Sequence, residues 1–228
     1  MPSLLGSDRG YGALVLAPGV YVPQDDTFLL ADALDREPRL QPGAEVLDVG
    51  TGTGALALAA ARRGARVTAI DRSWRAVVAT RINAALSRRR VRVLHGDLLR
   101  PAAGRRFDLI VCNPPYVPAP QLRPPRRGAA VAWDAGHDGR AVLDRICDGV
   151  AELLRPGGVL LLVHSALSGV TPTLQRLERA GFDAAVDQRQ YVPFGPVLRS
   201  RADWLERRGL IAPGEEKEEL VVIRAERT

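Results

Sequence analysis

Several residue types are scarce in this sequence, and each scarcity narrows the possible chemistry. Only 2 cysteines and 3 histidines occur in 228 residues, and neither type shows the spacing of a metal site or of a disulfide framework. We therefore expect no bound metal, and we interpret Cys112 and Cys147 as reduced core residues. Metal-dependent chemistry is accordingly not what the sequence predicts.

Long apolar runs are absent as well. No segment is long enough to span a bilayer, and residues 1–20 hold glycines, Asp8 and only a brief apolar stretch. We expect no signal peptide, no membrane association and a cytoplasmic location. No stretch resembles a flexible linker, and 228 residues that are 46% hydrophobic suffice for one sizeable core. We predict a single domain over residues 1–228.

Lysine is almost missing from a basic chain. Lys217 is the one lysine among 32 basic residues, and the formal net charge is +6. So strong a preference for arginine, with abundant alanine, indicates compositional bias as much as a requirement of function. The charge still permits an acidic partner such as RNA, or a protein bound near RNA. Arg123, Arg126 and Arg127, in the proline-rich loop from Val117 to Gly128, either steer such a surface or are simply solvated.

What the sequence does contain is a regular alternation of apolar strands and amphipathic helices. Strands are predicted near residue 46 and over 66–70, 91–95, 107–112, 159–164, 184–192 and 220–225, and helices over about 28–34, 55–63, 73–88, 140–154 and 172–180. Asp25 or Asp26 is positioned to cap the first helix. The alternation predicts an α/β fold with a mostly parallel sheet covered by helices on both faces. Ligands of such sheets bind beyond the carboxyl ends of the strands, where the connections diverge.

A glycine-rich turn follows the first of these strands. It reads DVGTGTG from Asp48 to Gly54, between an apolar run and a helical run. Gly50, Gly52 and Gly54 allow positive φ and a close approach of the backbone to a ligand, and the helix N-terminus offers free N–H groups. A dinucleotide fingerprint is spaced G-x-G-x-x-G, whereas the spacing here is G-x-G-x-G. A dinucleotide is therefore disfavoured.

Three acidic residues stand at three successive strand ends. Asp48 precedes the turn, Asp71 ends the second strand, and Asp97 follows the third. At the carboxyl end of a parallel strand, Asp71 is placed to accept hydrogen bonds from ribose hydroxyls, and Asp97 to accept one from an adenine amino group. Together the three acids predict the rim of a cofactor site. Each alone is equally consistent with a helix cap.

The tetrapeptide Asn113-Pro114-Pro115-Tyr116, at the end of the strand over 107–112, is the most informative feature. An exocyclic or carboxamide nitrogen is a poor nucleophile because its lone pair is delocalised. The Asn113 side-chain oxygen and the Pro114 carbonyl can each accept one N–H of a planar NH2 group, which points the nitrogen at a methyl carbon. Pro115 restrains that carbonyl, and Tyr116 offers a stacking face. We interpret the tetrapeptide as a methyl-transfer site; taken alone, it also marks a turn.

Three stretches resemble the HemK/PrmC group of protein glutamine N5-methyltransferases, which are class I methyltransferases that use S-adenosylmethionine. They are VYVPQDDTFLLADAL from Val20 to Leu34, the NPPY tetrapeptide, and AWDAGHDGRAVLDR from Ala132 to Arg145. The tetrapeptide is shared widely, whereas the two flanking stretches are specific. The resemblance runs from Val20 to about Tyr191 and is closest to the short HemK-like branch of eukaryotes and archaea, called Mtq in yeast. It implies a Rossmann-like, mostly parallel sheet of seven strands.

The resemblance also implies a role for each matching residue. An N-terminal segment of about residues 1–40 would cover S-adenosylmethionine, the methionine side would lie on the glycine-rich turn, and the tetrapeptide would hold the substrate amide. The residues expected to bind the cofactor are, in sequence order, Tyr21, Asp26 and Thr27 folding over it, Asp48 and Gly50 lining its methionine side with Gly52 and Gly54 in the same turn, Asp71 at the ribose, and Asp97 and Leu98 at the adenine; Asn113 and Pro114 would hold the substrate amide. The usual substrate of the family is the glutamine of the Gly-Gly-Gln motif in a translation release factor.

An insertion at about 193–219 departs from the family pattern, because the short branch normally carries fewer residues there. Val197 to Arg208 within it reads as a basic helix with Trp204. The insertion either contacts the substrate or covers the cleft, or it is a solvated segment packed by Trp204 and Leu198. Upstream, Trp133, Asp134, Gly136, Asp138 and Gly139 either frame the far wall of the substrate pocket or simply turn the chain.

A second departure concerns a partner. Eukaryotic relatives work with a small zinc-binding activator that docks at the exposed edge strand of the sheet. That edge is here the third strand, written from Arg88 to Val93, and its arginines Arg88, Arg89, Arg90 and Arg92 discourage strand addition. We predict that no such activator is obligatory.

Other functions remain open on the residues alone. One alternative is a nucleic-acid adenine N6-methyltransferase, because adenine presents the same planar NH2 group. The segment over 117–139 is too short for a domain that recognises duplex DNA, so a duplex DNA substrate is disfavoured. Single-stranded RNA is harder to exclude. Some members of the short branch methylate lysine, which must first lose a proton and which the tetrapeptide explains less well. A small-molecule methyltransferase is a weaker alternative. A non-catalytic scaffold would be expected to have lost the glycines or the tetrapeptide, and both are intact.

Overall fold

The structure, a computed structural model, describes residues 4–5 and 14–228. The strands are β1 (Leu4–Leu5), β2 (Leu14–Val15), β3 (Glu45–Val49), β4 (Arg66–Asp71), β5 (Val91–His95), β6 (Phe107–Cys112), β7 (Leu154–Ser165), β8 (Phe182–Pro193) and β9 (Lys217–Arg227). The helices are α1 (Asp25–Arg36), α2 (Ala55–Arg62), α3 (Trp74–Leu86), α4 (Leu143–Gly149), α5 (Val170–Arg179), α6 (Pro196–Arg199) and α7 (Ala202–Arg207). Most of the first 13 residues, which belong to the predicted covering segment, lie outside the described part.

Seven strands form the main sheet, in the order β5-β4-β3-β6-β7-β9-β8. β3 pairs parallel with β4 and β6, β4 with β5, and β6 with β7, while β9 runs antiparallel to β7 and β8. The predicted mostly parallel sheet is confirmed. The direction of growth reverses between β3 and β6, and sheets of this kind bind ligands at that point, beyond the carboxyl ends of the strands.

Apolar patterns explain which elements lie inside. Consecutive residues from Val46 to Val49 and from Leu109 to Cys112 are buried, as expected of parallel strands covered on both faces. All residues of α2 from Ala55 to Ala61 are buried, so this helix lies within the structure rather than on its surface. Edge strand β8 alternates between more and less exposed positions instead. No described helix is both long enough and apolar enough to cross a membrane.

The first helix begins differently from the prediction. Gln24, not an aspartate, is the N-cap of α1, and Asp25 and Asp26 lie in its first turn. Acidic side chains in the first turn still favour the positive end of the helix dipole. The aspartate signal therefore located the helix start within two residues but assigned the wrong cap.

Two other predicted helices are broken in the structure. The helix expected over 140–154 is shorter, because α4 ends at Gly149 and the chain continues as a 3-10 turn, consistent with the low helix propensity of glycine. The basic helix expected from Val197 to Arg208 is replaced by α6 and α7. The break lies at Ser200, whose hydroxyl donates to the Val197 carbonyl at 2.7 Å and so competes with helical bonding.

The insertion is packed onto the body of the fold. Phe194, Leu198, Leu205 and Ile211 are buried in one small apolar cluster, to which Val117, Leu167 and Trp204 contribute at the margin. Packing by Leu198 and Trp204 is therefore confirmed, while residues 207–209 and 212–217 of the same segment are exposed.

An ion pair adds to this packing. Arg201 Nη1 lies 2.7 Å from Asp134 Oδ1, and the same nitrogen donates to the Pro118 carbonyl at 2.9 Å. Side-chain exposure is 16% for Arg201 and 7% for Asp134, so water screens the pair only weakly. The insertion is thus fixed to the loop that follows β6.

β5 is an edge of the sheet, as predicted, and Arg90 and Arg92 are exposed there. Beside it, α3 presents large exposed hydrophobic side chains at four-residue intervals: Trp74 (60%), Val78 (49%), Ile82 (43%) and Leu86 (64%). This spacing places them in a row on one helix face. The edge therefore combines charges that discourage strand addition with an exposed apolar row.

We predict that replacing Leu205 with alanine destabilises the protein by about 2–5 kcal/mol, because the side chain is fully buried in the cluster of the insertion. Leu122→Ala is the matched control, since Leu122 is 81% exposed and should change the free energy of unfolding by less than about 0.5 kcal/mol. Chemical denaturation of both variants measures the difference. Equal stabilities would mean that the insertion is not anchored.

Candidate functional site

The pairing of β3 with β6 brings the glycine-rich turn and the tetrapeptide together. In this parallel register Val49 lies beside Cys112, and the Cys112 thiol donates to the Val49 carbonyl at 3.2 Å. The residues that follow are Gly50 and Asn113. A Cβ built on Gly50 would lie 3.7 Å from the Asn113 carbonyl oxygen. The two motifs are therefore neighbours at the carboxyl edge of the sheet.

One cavity of about 600 Å³ extends over both motifs, a volume typical of cofactor and small-molecule sites. Its walls come from the N-terminal segment, the turn, the loop after β6 and the insertion. Among the predicted site residues it is lined by Tyr21, Asp26, Thr27, Gly50, Gly52, Asp71, Asp97, Leu98, Asn113, Pro114, Pro115 and Tyr116. Asp48 and Gly54 lie behind the wall rather than in it.

Asp48 holds the turn from below. Its Oδ2 accepts from the Thr51 hydroxyl at 2.6 Å and from the Ala57 N–H at 3.0 Å. Burial raises the pKa of this carboxyl to about 7, and the two hydrogen bonds oppose the rise. Oδ1 is buried without a partner among the described residues. The resemblance implies that Asp48 lies on the methionine side of the cofactor; in the structure it joins Thr51 of the turn to Ala57 of α2.

Two side chains of α3 support the turn from behind, and the sequence analysis missed both. The Thr80 hydroxyl donates to the Gly52 carbonyl at 3.0 Å, and the Asn83 amide donates to the Thr53 carbonyl at 2.9 Å. Both side chains are fully buried. The available signal was a threonine and an asparagine three residues apart, on one face of a predicted helix, because buried polar groups need partners.

Gly54 is required by packing as well as by its backbone conformation. Its φ is +88°, and a Cβ built there would lie 2.8 Å from Thr80 Cγ2. Only glycine combines a left-handed conformation with such a close neighbour. Gly54 therefore shapes the turn without facing the cavity.

Asp71 and Asp97 face the cavity while also holding protein groups. Asp71 accepts from the Gly52 N–H at 2.9 Å and from the Ser73 N–H at 2.8 Å. Burial raises the pKa of Asp71, and these two bonds oppose the rise. Asp97 pairs with Arg145 at 2.5 Å. A carboxylate has about four acceptor positions, so both side chains keep capacity for hydroxyl or amino groups of a ligand.

Asp26 is the centre of a buried hydrogen-bond network. Its Oδ2 accepts from the Tyr21 hydroxyl at 2.9 Å and from the Tyr116 hydroxyl at 3.0 Å. Its Oδ1 accepts from the N–H of Thr27 at 2.5 Å and from the Thr27 hydroxyl at 3.2 Å. Burial, and then the charge of Asp26, raise the pKa of both tyrosines, so both hydroxyls remain donors. The network ties the N-terminal segment to the tetrapeptide.

The same network orients Asn113. Its amide nitrogen donates to the Thr27 hydroxyl at 3.1 Å. The side-chain oxygen is therefore the atom that has no partner among the described residues, and it is an acceptor. Thr27, expected to contact the cofactor, thus also fixes which end of the Asn113 amide is available.

The stretch from Ala132 to Arg145 supports the tetrapeptide from the other side. A Cβ on Gly139 would lie 2.3 Å from the Tyr116 carbonyl oxygen, which also accepts from the Ser168 hydroxyl at 2.6 Å. Arg140 in turn donates to the Ser168 carbonyl at 2.6 Å. Of the expected far wall, Trp133 and Asp134 line the cavity, whereas Gly136, Asp138 and Gly139 do not.

The insertion supplies a further part of the wall, through Gly195–Leu198 and Glu218. Burial raises the pKa of Glu218 to about 7; the Ser165 hydroxyl opposes the rise and the charge of Asp26 adds to it. The sequence analysis did not single out Glu218. Glu218 stands in an acidic run, and the sequence gives no sign that it lines the cavity, because its burial depends on contacts with distant residues.

Asp71 and Asp97 line the cavity near β4 and β5, and Asn113, held by Thr27, lines it beside the glycine-rich turn. This arrangement fits an adenosine-bearing cofactor near β4 and β5, and a planar NH2 group at the tetrapeptide. In the described part of the chain, no three His, Cys, Asp or Glu side chains are grouped so that they would hold a metal ion.

The chain is similar in sequence to known proteins. Residues 14–124 match the family model of the methyltransferase small domain. The chain is 34% identical over 187 residues to a Methanocaldococcus jannaschii protein named as a protein N5-glutamine methyltransferase. The aligned region covers 81% of this chain and 92% of that protein. It is 38% identical over 170 residues to methyltransferase HEMK2 of Mus musculus, covering 72% and 78%. It is 34% identical over 190 residues to a release factor glutamine methyltransferase of Geobacter sulfurreducens, of whose length it spans 65%.

Solved structures agree with the fold. The fold is similar to that of a chain in the Mtq2–Trm112 complex of E. cuniculi, with a TM-score of 0.60 and 26% identity. The match covers 92% of this chain and 99% of that one, and the complex is described as responsible for methylation of the termination factor eRF1. The 16S rRNA methyltransferase RsmC of T. thermophilus, bound to AdoMet and guanosine, gives a TM-score of 0.59 and 25% identity over 95% and 47%.

We predict that Gly54→Ala lowers the free energy of unfolding by roughly 1–3 kcal/mol more than Gly43→Ala does, because only Gly54 has a close neighbour for the new methyl group. Gly43 is the matched control, since its φ is +85° but a Cβ there meets nothing within 4 Å. Thermal and chemical unfolding of the two variants measure the difference. Equal losses would show that backbone strain alone accounts for glycine at residue 54.

Proposed function

Since this chain belongs to the HemK family of protein glutamine N5-methyltransferases, which are class I enzymes that use S-adenosylmethionine, we propose that it methylates the Gly-Gly-Gln glutamine of a translation release factor. The observation that carries the proposal is the orientation of Asn113, whose nitrogen is held by Thr27 and whose oxygen is left as an acceptor. The names of the M. jannaschii and G. sulfurreducens relatives, and the description of the E. cuniculi complex, support this substrate.

A glutamine amide suits the acceptor end. Its NH2 group has two N–H donors, for the Asn113 oxygen and the Pro114 carbonyl, and its lone pair then points away from both. Asn113 and Pro114 would hold the nitrogen with its lone pair facing the methyl group that S-adenosylmethionine would supply, and S-adenosylhomocysteine and one proton would be released. Alignment and electrostatics supply the catalysis, because no side-chain base can deprotonate an amide beforehand.

We propose that S-adenosylmethionine binds at the other end, where it supplies a methyl group activated on a positively charged sulfur. Gly50 and Gly52 permit close approach of the turn, and Asp71 accepts from ribose hydroxyls. Asp97 and Leu98 receive the adenine. Tyr21, Asp26 and Thr27 cover the site from the N-terminal segment. Asp48 and Gly54 act indirectly in this scheme, by shaping the turn.

We also propose that the protein works without an obligatory zinc-binding activator. Arg90 and Arg92 are exposed on the unpaired edge of β5, where they oppose strand addition. The exposed apolar row on α3 lies beside this edge and is a surface that a partner would cover if this proposal failed.

The decisive experiment incubates the protein, purified alone, with S-adenosylmethionine and separately with the release factors, the total protein and the RNA of its host. Mass spectrometry then locates the added methyl group. We expect it on the glutamine of the Gly-Gly-Gln motif. Methylation of adenine in RNA, or of lysine, would contradict the proposed substrate, and transfer that appears only with a copurified partner would contradict independence from an activator.

Two variants form a reciprocal pair. Asn113→Ala should lower transfer by roughly 100-fold or more, because a preorganised acceptor at the reacting group is lost. Its affinity for S-adenosylmethionine should stay near that of the wild type. Asp71→Ala should instead weaken cofactor affinity, since it removes the acceptor for the ribose. Calorimetric titration with the cofactor, next to turnover assays, separates the two effects; normal turnover by Asn113→Ala would refute its role.

A further inference from the structure

A second groove lies at the opposite end of the sheet from the active-site cavity. The first residues of β3, β4 and β5 form it together with the second half of α3 and Arg105, and its volume is about 650 Å³. Strand β4 connects the two sites, because it begins at Arg66 in the groove and ends at Asp71 in the cavity. Five residue steps along a strand correspond to about 17 Å. The groove is therefore a separate surface of the molecule.

Arginine side chains dominate this groove. Its described lining holds six arginines and one acid, Glu45, so five positive charges are left uncompensated. The net charge of the whole chain is +6, and the groove thus carries an excess almost as large as that of the chain. The six arginines are Arg66, Arg81, Arg89, Arg90, Arg92 and Arg105.

The general preference of this sequence for arginine does not account for the groove. On other surfaces arginines lie beside acids. Arg140 is 2.7 Å from Asp144, and Arg224 is 2.8 Å from Glu37. A bias in composition alone would spread unpaired arginines over the surface, whereas here they are gathered at one place.

Within the groove the single acid is shared. Glu45 lies 3.7 Å from both Arg66 and Arg105. In the part of the chain that the structure describes, the other four arginines of the groove have no acid at ion-pair distance. Like charges held close together repel one another, so the groove attracts anions.

Two of the arginines are held in place by hydrogen bonds. Arg81 Nη2 donates to the Val93 carbonyl at 3.1 Å, and Arg105 Nη1 donates to the Thr68 hydroxyl at 2.8 Å. A guanidinium has five N–H donors, so both side chains keep several for a ligand. The planar fork of arginine matches the oxygens of a phosphate group. The groove thus offers positioned donors for phosphates.

An aromatic ring continues the row of arginines along α3. Trp74 is 60% exposed, and its ring is stacked on that of His95 with 4.0 Å between the centroids. The His95 Nε2–H donates to the Arg72 carbonyl at 2.9 Å, which fixes the plane of the stack. Trp74 and Arg81 are seven residues apart, so they lie on one face of the helix about 10 Å from each other. His95 covers one side of the indole, and the other side is available for stacking.

We propose that this groove binds single-stranded RNA, with phosphates on the arginines and a base stacked on Trp74. Basic side chains beside an exposed aromatic ring are the arrangement that binds single strands without sequence preference. Glu45 can accept a hydrogen bond from a ribose 2′-hydroxyl, which DNA lacks. An acidic protein segment would use the arginines but not the aromatic ring, so RNA fits more of the observations.

The RNA is a docking partner and not a methyl acceptor. Strand β5 lies three strands away from β6, whose end carries Asn113. At about 4.8 Å between neighbouring strands, this separates the RNA from the tetrapeptide by roughly 14 Å. The inference goes beyond the proposed function and does not depend on it.

The test measures binding of a fluorescein-labelled single-stranded RNA of about twelve nucleotides to the intact protein by fluorescence anisotropy. We expect a dissociation constant on the order of micromolar at physiological salt, and an affinity that falls as potassium chloride is raised. A DNA of the same sequence should bind more weakly. Failure to bind RNA even at low salt, or equal binding of the DNA, would overturn the proposal.

Two double variants separate the groove from charge in general. Arg90→Ala with Arg92→Ala removes two exposed arginines of the groove, and Arg207→Ala with Arg208→Ala removes two exposed arginines of the insertion. The first pair should weaken RNA binding roughly tenfold or more and reduce the slope of log affinity against log salt by about 1.4, because each phosphate contact contributes about 0.7. The second pair should bind within twofold of the wild type. Equal weakening by both pairs would refute the groove as the site.

The stacking contact has its own test. Trp74→Ala should weaken RNA binding roughly fivefold or more, whereas Trp74→Phe keeps a ring and should retain most of the affinity. Polyglutamate is the matched acidic polypeptide; it should bind more weakly than RNA and respond little to Trp74→Ala. Polyglutamate that binds as tightly as RNA would assign the groove to an acidic protein and overturn the proposal.

A last measurement locates the bound RNA. Trp74 and the arginines of the groove do not line the active-site cavity. RNA should therefore acquire no methyl group and should not compete with S-adenosylmethionine. Methylated RNA, or RNA that the cofactor displaces, would place the binding in the cavity and contradict a separate site.

Discussion

The register between β3 and β6 is the constraint on which the rest of the site depends. Because Val49 lies beside Cys112, the residues that follow them, Gly50 and Asn113, are also neighbours. The glycine turn that allows close approach to a ligand therefore lies next to the Asn113 amide. A slip of one residue would turn every side chain of a strand to the other face. Both strands are buried, so apolar packing fixes the register, and residues that touch no ligand decide where the chemistry takes place.

The network around Asp26 is the second constraint, and it shows how the fold accommodates a buried charge. A carboxylate in an apolar site is costly unless donors surround it, and four donors do so here. They come from Tyr21 and Thr27 near α1 and from Tyr116 in the tetrapeptide. The N-terminal segment is thereby held over the cavity, and the Thr27 hydroxyl, part of the network, also sets the orientation of Asn113. The same hydrogen-bond network therefore holds the N-terminal segment over the cavity and orients the Asn113 amide.

Much of the fold and part of the site were predictable from the sequence. The strand ends at Asp71 and Cys112 were located because short apolar runs ending in turn residues mark parallel strands. The helices predicted over 140–154 and from Val197 to Arg208 were wrong, because Gly149 and Ser200 interrupt them locally and periodicity does not register this. The predicted cap of α1 was also wrong, by one or two residues, which is the usual uncertainty of a helix end. That Asp48 lies on the methionine side of the cofactor stays a prediction; in the structure its Oδ2 accepts from Thr51 and Ala57.

Local sequence patterns were enough to identify the functional groups of the site: a turn that only glycine can form, acids at strand ends, and an amide followed by two prolines. These are local properties, set by sterics and by short-range periodicity. Three features depend on packing between distant segments: Thr80 and Asn83 support the turn, Thr27 orients Asn113, and Glu218, near the end of the chain, lines the same cavity. Such contacts join residues distant in sequence, and they depend on how the elements pack, which no local pattern encodes.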